Sequence, residues 1–299
     1  MHNFIKGVGR LKVLIIGASG FLGENLSYIL KKKHVVYGTY FNNLTFNLDT
    51  MYQLDACKLG NTKRILEEIK PEIVVWSIMT RSTETKIMEI ALSEVLDYTR
   101  TSNSRVIYIS TDLFKGEGSY YKEDYEAKYF DYKNPYAQYF NGKVLGEQMV
   151  LEDKKNTVVR IGMIYGLDYF NNYDKRINHM REQINSNEKI ELSKNVYKTY
   201  TNIRLLVEII KELIEIDYKG VLHVVNTRRL SIYDFYKEQL ENIGIKTDLL
   251  TATFVDESEA HENDLCLDTS MSFGKLLMLI ESGQICTSYN TLFTNSPQK

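Results

Sequence analysis

Leu11–Leu26 has the sequence LKVLIIGASGFLGENL. In it, the apolar residues Val13–Ile16 precede three glycines spaced G-x-x-G-x-x-G and then a helical pattern of apolar residues. This order predicts a buried parallel strand that turns tightly into a helix. Gly17 would permit the turn, Gly20 would let backbone N–H groups close on a pyrophosphate, and Gly23 would let the helix pack on the strand. The spacing differs from the usual G-x-G-x-x-G fingerprint, so a purely structural turn is the alternative.

The composition is that of an ordinary globular protein, because 43% of the 299 residues are hydrophobic and 25% are charged. The net charge of −2 gives no basic field that would favour nucleic acid or an anionic membrane. The three cysteines are far apart and odd in number, which argues against a disulfide scaffold and predicts a reducing, cytoplasmic location. Residues 1–10 lack the core of a signal peptide, and no apolar run is long enough to span a membrane. Neither the cysteines nor the five scattered histidines have metal-ligand spacing, so no metal site is predicted.

In the first half of the chain, short β-branched runs alternate with amphipathic helices, which predicts right-handed βαβ units and a parallel sheet. The predicted strands are Val13–Ile16, His34–Thr39, Phe46–Leu48, Ile73–Ser77, Arg105–Ser110 and Thr157–Ile161. The helices predicted after the first one are Thr62–Lys70, Glu84–Arg100 and Pro135–Glu152, and a surface loop is predicted from Lys115 to Asn134.

The regular alternation ends at Gly162. Beyond it we predict helices at Asn171–Ser186, Ile203–Ile216 and Ser231–Ile243, a short strand at Ile190–Leu192, and a late strand of the main sheet at Val221–Val225. Ligands of such sheets bind beyond the carboxyl ends of the strands. Four residues are therefore expected to converge on one crevice, namely Gly17, Ser77, Thr111 and Gly162.

Tyr139 and Lys143 lie four residues apart in a predicted helix and so project from one face. A neighbouring ammonium group favours a phenolate, so we expect Lys143 to lower the pKa of Tyr139 and make it a proton donor or acceptor near neutrality. The spacing Y-x-x-x-K also occurs at Tyr28, Tyr129 and Tyr233, but only the Tyr139 pair opens a helix that follows a strand ending in Ser-Thr. The alternative is a half-buried helix aromatic with an exposed lysine.

Polar residues follow two other strands of the predicted sheet. The hydroxyl of Thr111 could hold a substrate carbonyl while Tyr139 protonates its oxygen, although Ser-Thr-Asp at a strand end also commonly caps a turn. Asp112 is expected to cap this turn. Asp55 could reach an adenine amino group, or it could cap the helix ahead. The second strand ends in Thr39–Asn43, which holds no acid for a ribose 2′-hydroxyl and no arginine for a 2′-phosphate, and the missing acid favours NADP(H) over NAD(H).

Several segments, in the same order along most of the chain, resemble the extended short-chain dehydrogenase/reductases, and within them the dTDP-4-dehydrorhamnose reductase-like group. They are GASGFLG (residues 17–23), LDACKLGNTKRILEEIKPEIVVW (54–76), YISTDLFKGEGSYYKED (108–124), NPYAQYFNGKVLGE (134–147), VVRIGMIYG (158–166) and GVLHVVNTRRLSIYDF (220–235). The resemblance implies an α/β fold with a Rossmann-type doubly wound parallel sheet and a smaller C-terminal substrate-binding α/β region. Residues 1–161 would form the NAD(P)-binding domain and residues 162–299 mainly the sugar-nucleotide domain, with 203–225 returning to the Rossmann sheet.

By position, the resemblance makes Thr111, Tyr139 and Lys143 a catalytic trio. It implies a cofactor wall of Gly17, Ser19, Gly20, Phe21, Leu22, Gly23, Asp55, Ala56 and Ser77, together with Tyr139 and Lys143. Two segments depart from the family. The family's A-A-Y-T-x-V-D-x-A-E is replaced by Ser77–Glu84. The stretch from Glu84 to Ser-Thr-Asp is shorter than in the family, and the asparagine of the family's helix in this stretch is not apparent. Its R-P-x-N-S-x-L, which helps hold the nucleotide, aligns with His261–Leu267, which lacks the arginine.

The resemblance therefore implies an NAD(P)H-dependent reductase of a keto-sugar nucleotide such as dTDP-4-dehydrorhamnose, in deoxysugar or polysaccharide biosynthesis. Its partner would be the small nucleotide-sugar substrate, and family analogy adds a homodimer formed through helices. Two alternatives remain open. One is an epimerase or dehydratase of the same superfamily, which would keep NAD bound without net consumption. The other is a non-catalytic NAD(P)-binding regulatory subunit, since the regulatory subunit of methionine adenosyltransferase is similar in sequence to these reductases.

Overall fold

Strands and helices alternate along the first half of the chain in the computed structural model, which describes residues 9–44 and 50–286. Up to residue 161 the elements are β1 (Lys12–Ile16), α1 (Phe21–Leu30), β2 (Val35–Tyr40), β3 (Met51–Gln53), α2 (Asn61–Ile69), β4 (Ile73–Trp76), α3 (Glu84–Ile87), a π-helical segment (Met88–Leu92), α4 (Ser93–Thr101), β5 (Arg105–Ser110), α5 (Ala137–Leu151) and β6 (Thr157–Ile161). The later elements are β7 (Met163–Tyr165), α6 (Lys175–Asn185), β8 (Ile190–Ser193), β9 (Tyr197–Lys198), β10 (Tyr200–Asn202), α7 (Ile203–Glu215), β11 (Gly220–Val224), β12 (Leu230–Ser231), α8 (Ile232–Asn242), β13 (Leu250–Thr253), α9 (Glu257–Glu262) and α10 (Gly274–Glu281).

Seven strands form one sheet in the order β11-β6-β5-β4-β1-β2-β3, and each neighbouring pair is parallel. The chain winds outward in one direction from β1 and in the other from β4, so the strand order reverses between these two strands. This arrangement confirms the predicted Rossmann-type doubly wound sheet. The third strand is Met51–Gln53, whereas the predicted strand Phe46–Leu48 lies outside the described residues.

Helices cover both faces of the sheet because its strands are apolar on both sides. Val13 and Ile15 of β1 pack in one core with α1 and α7, while Leu14 and Ile16 pack in the other core with α2 and the π-helical segment. This division follows from the two-residue period of a strand, which sends successive side chains to opposite faces. Each of these four side chains is fully buried, and each such burial contributes about 1.5–3 kcal/mol.

The second half of the chain contributes both to the main sheet and to a separate group of small strand pairs. Strand β11 pairs with β6 at the edge of the main sheet, and α7 packs on the core beneath that sheet. The remaining strands form the two-stranded pairs β7-β10, β9-β12 and β8-β13. Around them, Tyr200 stacks on Phe235 of α8 in a separate apolar core. The division of the chain between residues 161 and 162 into cofactor and substrate domains stays a prediction.

Two predicted helices differ from the structure in instructive ways. The helix predicted at Asn171–Ser186 begins only at Lys175, because the Asp174 side chain caps the backbone N–H groups of Arg176 and Ile177. The helix predicted at Glu84–Arg100 is divided by the π-helical segment Met88–Leu92 into α3 and α4. A π-helical turn often marks a functional site. Within residues 9–44 and 50–286, no helix is long and apolar enough to cross a bilayer.

Candidate active site

The glycine-rich turn after β1 is held by its neighbours at the carboxyl edge of the sheet. Gly17 has φ +95°, and its N–H donates to the Thr39 hydroxyl oxygen at 3.0 Å. A Cβ atom at Gly17 would lie 3.1 Å from the Ser77 hydroxyl oxygen and from the Ile78 nitrogen. The Ser77 hydroxyl in turn donates to the carbonyl oxygen of Ile16 at 3.0 Å. Both the backbone conformation and the close contact with the end of β4 therefore require glycine at position 17.

The other two glycines of the turn have different environments. A Cβ atom at Gly23 would lie 2.2 Å from the Gly17 carbonyl oxygen, so glycine lets α1 pack on the turn. At Gly20 the same atom would meet only the Gly17 carbonyl oxygen at an ordinary 3.4 Å. Gly20 is the N-cap of α1, and as a glycine it has no side chain of its own to cap the helix. The packing does not explain glycine at position 20, but the approach of a phosphate to the helix N-terminus would. The turn thus fits a dinucleotide.

The remaining residues of the predicted cofactor wall lie along the same edge. Phe21, Leu22 and Gly23 form the first turn of α1, and Ser19 lies in the preceding loop. Asp55 and Ala56 follow β3. The Asp55 carboxylate accepts a hydrogen bond from the Cys57 N–H at 3.0 Å, so it stabilises its own turn. It does not cap the helix ahead, as the alternative expected, because Gly60 is the N-cap of α2. The described residues contain no group of three or more His, Cys, Asp or Glu side chains arranged for a metal ion.

The structure brings Thr111, Tyr139 and Lys143 together. Thr111 follows β5, and its hydroxyl lies near the phenol of Tyr139, whose pKa it lowers. Tyr139 and Lys143 both lie on α5, and Lys143 lies over the ring of Tyr108 with its Nζ 5.1 Å from the centroid. A half-buried phenol, an adjacent hydroxyl and a lysine therefore meet beside the strand-order reversal, where ligands of this fold bind.

Lys143 is buried, whereas the alternative interpretation of the Tyr139–Lys143 pair expected an exposed lysine. Its Nζ donates to the carbonyl oxygens of Ile78 at 3.0 Å and Ile109 at 3.2 Å, beyond β4 and within β5. It also lies 3.0 Å from the Glu84 Oε1 atom, and the two side chains are 4% and 0% exposed. The lysine is thus fixed in a buried ion pair at the carboxyl edge of the sheet.

The expectation that Lys143 lowers the pKa of Tyr139 is wrong for this state of the protein. Burial raises the pKa of Tyr139, and the carboxylates of Glu84 and Asp112 raise it further, against smaller opposing effects of the Thr111 hydrogen bond and the Arg176 charge. The physical reason is that the Lys143 ammonium is paired with Glu84, so its charge is largely compensated where it would act on the phenol. Tyr139 is consequently held in its protonated form.

Asp112 makes side-chain contacts beyond the predicted turn cap. Its Oδ1 accepts from the Thr111 hydroxyl at 2.8 Å, and its Oδ2 accepts from Lys198 Nζ and the Thr269 hydroxyl, each at 2.5 Å. These contacts join the end of β5 to β9 and to the C-terminal segment. The sequence gives no signal of them, since Lys198 and Thr269 are distant along the chain and belong to no quoted motif.

Two further positions define the edges of the crevice. A Cβ atom at Gly162 would lie 2.0 Å from the Thr199 carbonyl oxygen, so the end of β6 is covered by the backbone before β10 and does not face an open crevice as predicted. In the segment that replaces the family's arginine motif, Asp264 accepts hydrogen bonds at 2.7 Å from Lys115 Nζ and from the Asp131 N–H. This segment is therefore tied to the loop between β5 and α5.

The fold and the Thr-Tyr-Lys arrangement define an extended short-chain dehydrogenase/reductase. Residues 11–263 match the family model described as RmlD substrate binding domain, and the chain belongs to that family.

Among curated proteins, the spore coat polysaccharide biosynthesis protein SpsK of Bacillus subtilis (strain 168) is 26% identical over 254 residues, which are 81% of this chain and 83% of that protein. A dTDP-4-dehydrorhamnose reductase of Clostridium acetobutylicum ATCC 824 is 21% identical, with a TM-score of 0.72 over 90% of this chain and 92% of that one. The dTDP-4-dehydrorhamnose reductase of Bacillus anthracis str. Ames, solved in complex with NADP, is 21% identical, with a TM-score of 0.69 over 88% and 90%. The solved structures show that the fold is shared.

Proposed function

We propose that the chain is an NAD(P)H-dependent reductase of a keto-sugar nucleotide, such as dTDP-4-dehydrorhamnose, in deoxysugar or polysaccharide biosynthesis. The observation that carries the proposal is the grouping of Thr111, Tyr139 and buried Lys143 at the carboxyl edge of the sheet, where Lys143 Nζ donates to the carbonyl oxygen of Ile78, the residue that also contacts Gly17 of the glycine-rich turn. A phenol that keeps its proton suits a general acid that donates to a carbonyl oxygen. Family membership and the polysaccharide role of the Bacillus subtilis relative support the substrate class.

When bound, the nicotinamide would supply the hydride that reduces the carbonyl carbon. Residues of this chain would orient the carbonyl oxygen and supply its proton. Thr111 would orient the carbonyl oxygen by hydrogen bonding, and Tyr139 would donate a proton to it. Lys143, fixed on α5 at the carboxyl edge of the sheet, would hold the nicotinamide ribose. Residues 1–161 would hold the cofactor, and residues 162–299 would mainly hold the sugar nucleotide.

The cofactor preference proposed is NADP(H), with NAD(H) as the alternative. The end of β2, Thr39–Asn43, holds no acid that would repel a 2′-phosphate, and the relative from Bacillus anthracis was solved with NADP. Titration of the protein with NADPH and with NADH, followed by fluorescence, would measure both dissociation constants. Tighter binding of NADH would overturn this preference.

Gly20→Ala is expected to weaken cofactor binding without unfolding the protein. The backbone at Gly20 has φ −85° and ψ 164°, which alanine adopts, and the added Cβ atom would have only an ordinary contact. The methyl group would instead occupy the space that a pyrophosphate needs at the start of α1, and we expect about tenfold weaker binding, or about 1.4 kcal/mol. The thermal midpoint and the dissociation constant of NADPH should be measured on the same preparation. An unchanged dissociation constant would contradict the role assigned to this turn.

Arg176 is a candidate for the diphosphate of the substrate, and the sequence did not indicate it. It lies exposed in the first turn of α6, and its charge lowers the pKa of both Tyr139 and Tyr236. Hydrogen bonds to charged groups contribute about 1.5–3 kcal/mol, so we expect Arg176→Ala to raise KM for the sugar nucleotide about tenfold or more with little change in kcat. Arg181→Ala, an exposed arginine of the same helix, is the matched control. Equal KM values for the two variants would exclude the assignment.

The deciding experiment is the oxidation of NADPH and NADH, followed by absorbance, with a panel of nucleotide-linked 4-keto sugars. Turnover that is lost in Tyr139→Phe would establish the reductase. Conversion of a sugar nucleotide with tightly bound NAD and no net cofactor consumption would point to the epimerase or dehydratase alternative. Cofactor binding without conversion of any sugar, together with a stable complex with another chain, would point to the regulatory subunit.

A further inference from the structure

The buried carboxylate that pairs with Lys143 is itself held in one orientation. Glu84 Oε2 accepts hydrogen bonds from the backbone N–H and from the hydroxyl of Thr80, the latter at 3.0 Å. Glu84 Oε1 lies within ion-pair distance of Lys143 Nζ but accepts no hydrogen bond from the residues that the structure describes. One oxygen thus anchors the side chain to its own loop, and the other is directed to the lysine as a charge partner.

Two glycines of α5 make room for this carboxylate. A Cβ atom at Gly142 would lie 2.6 Å from the Glu84 Cβ and Cγ atoms. One helical turn later, a Cβ atom at Gly146 would lie 2.2 Å from the Tyr108 hydroxyl oxygen and 2.8 Å from the Met88 sulfur. The small residues on one face of α5 therefore let α3 and the π-helical segment approach closely. This close packing places Glu84 beside Lys143, which directly follows Gly142.

The charged and titratable groups around Tyr139 come from every element packed against it, and most of them are paired. Asp112 is paired with Lys198, and Lys143 is paired with Glu84. The groups are Glu84 from α3, Tyr108 from β5, Asp112 after β5, Lys143 from α5, Arg176 from α6, and Lys198 from β9 behind Asp112. Of the two carboxylates that act on the phenol, Glu84 has the larger effect.

On the basis of the reductase function proposed above, we propose that Glu84 is a positioning residue that holds Lys143 in place and compensates its charge at the catalytic trio. The protonated phenol is the form that donates to a carbonyl oxygen. A lysine without this partner would favour the phenolate, which is the form that removes a proton from an alcohol. Glu84 thus extends the pH range in which the trio is ready for reduction.

The test measures the ionisation of Tyr139 directly in ligand-free protein labelled with [ζ-13C]tyrosine, where the signal of Tyr139 is the one missing from Tyr139→Phe. Glu84→Gln keeps the size and the Thr80 contacts but removes the charge. We expect its Tyr139 signal to change to the phenolate position about 1–3 pH units lower than in the wild type. Glu89→Gln, an exposed residue of the adjoining π-helical segment, is the matched control and should leave the titration unchanged.

Activity adds a second readout, because the alkaline limb of the pH profile of kcat for reduction should move to lower pH in Glu84→Gln. In Glu84→Asp, which retains the charge, this limb should move by less. If Glu84→Gln does not fold, Glu84→Asp is titrated in its place, because its shorter side chain draws the carboxylate away from Lys143, and its Tyr139 signal should change at a lower pH than in the wild type. An unchanged Tyr139 titration in these comparisons would overturn the role of Glu84 even in an active reductase. A shifted titration in a protein that reduces no sugar would instead retain the role of Glu84 and overturn the proposed function.

Discussion

Tyr139→Phe is expected to lower kcat for reduction of the sugar nucleotide by about 10²–10⁴-fold, the usual contribution of a positioned general acid. Burial, followed by the charges of Glu84 and Asp112, raises the pKa of Tyr139 and so keeps its proton in place at neutral pH. The Thr111 hydroxyl lies near this phenol, so a carbonyl oxygen held by Thr111 would lie within reach of the Tyr139 proton. No other phenol of this helix has these neighbours among the described residues.

The variant removes a hydroxyl and little else. The ring of Tyr139 packs against Phe140 with centroids 5.5 Å apart, and a phenylalanine ring retains this contact. Steady-state kcat and KM should be measured with saturating NADPH, together with the dissociation constant of NADPH, which we expect to stay close to the wild-type value. Tyr136→Phe is the matched control, since Tyr136 precedes the same helix and is 60% exposed. If both variants have the same kcat, another group supplies the proton and the assignment of the trio is incorrect.

The fold could be predicted from sequence because its signals are local. The apolar run before Gly17 and the spacing of apolar residues in each helix indicate which faces are buried. Parallel strands that are joined by helices then allow only a few topologies. The helix of Tyr139 and Lys143 could be placed for the same reason. Its position after a strand that ends in Ser-Thr separated it from three other pairs with the same spacing.

The charge state of the site could not be predicted, because it depends on contacts between distant segments. Glu84 is 59 residues from Lys143, and its place beside the lysine results from the packing of α3 against Gly142. In the sequence, Glu84 appeared only as the last residue of a segment that departs from the family and as the first residue of a predicted helix. The π-helical segment after α3 was also hidden, since one apolar pattern runs through all three helical pieces. The same limit applies to Lys198, which reaches Asp112 across 86 residues.

Glu147→Ala is expected to lower the free energy of unfolding by about 3–5 kcal/mol, because it removes one partner of a buried ion pair. Glu147 of α5 accepts from Arg160 Nε at 3.0 Å and from Arg160 Nη2 at 2.7 Å, and the two side chains are 2% and 3% exposed. Removal of the carboxylate would leave a guanidinium without a counter-ion in the core. His223 adds no charge to this part of the core, since burial, followed by the Arg160 charge, lowers the pKa of His223 to about 3 and keeps that ring neutral.

Urea unfolding followed by circular dichroism would measure this effect, and Glu152→Ala is the matched control on the same segment. Glu152 pairs with Arg100 at 2.8 Å, but both side chains are exposed, so we expect a loss of only about 0–1 kcal/mol. Because Glu147 and Arg160 join α5 to β6, the loss should also reach the catalytic helix, and Glu147→Ala should lose activity at a lower temperature than Glu152→Ala. Equal unfolding free energies for the two variants would show that the buried pair does not hold α5 against the sheet.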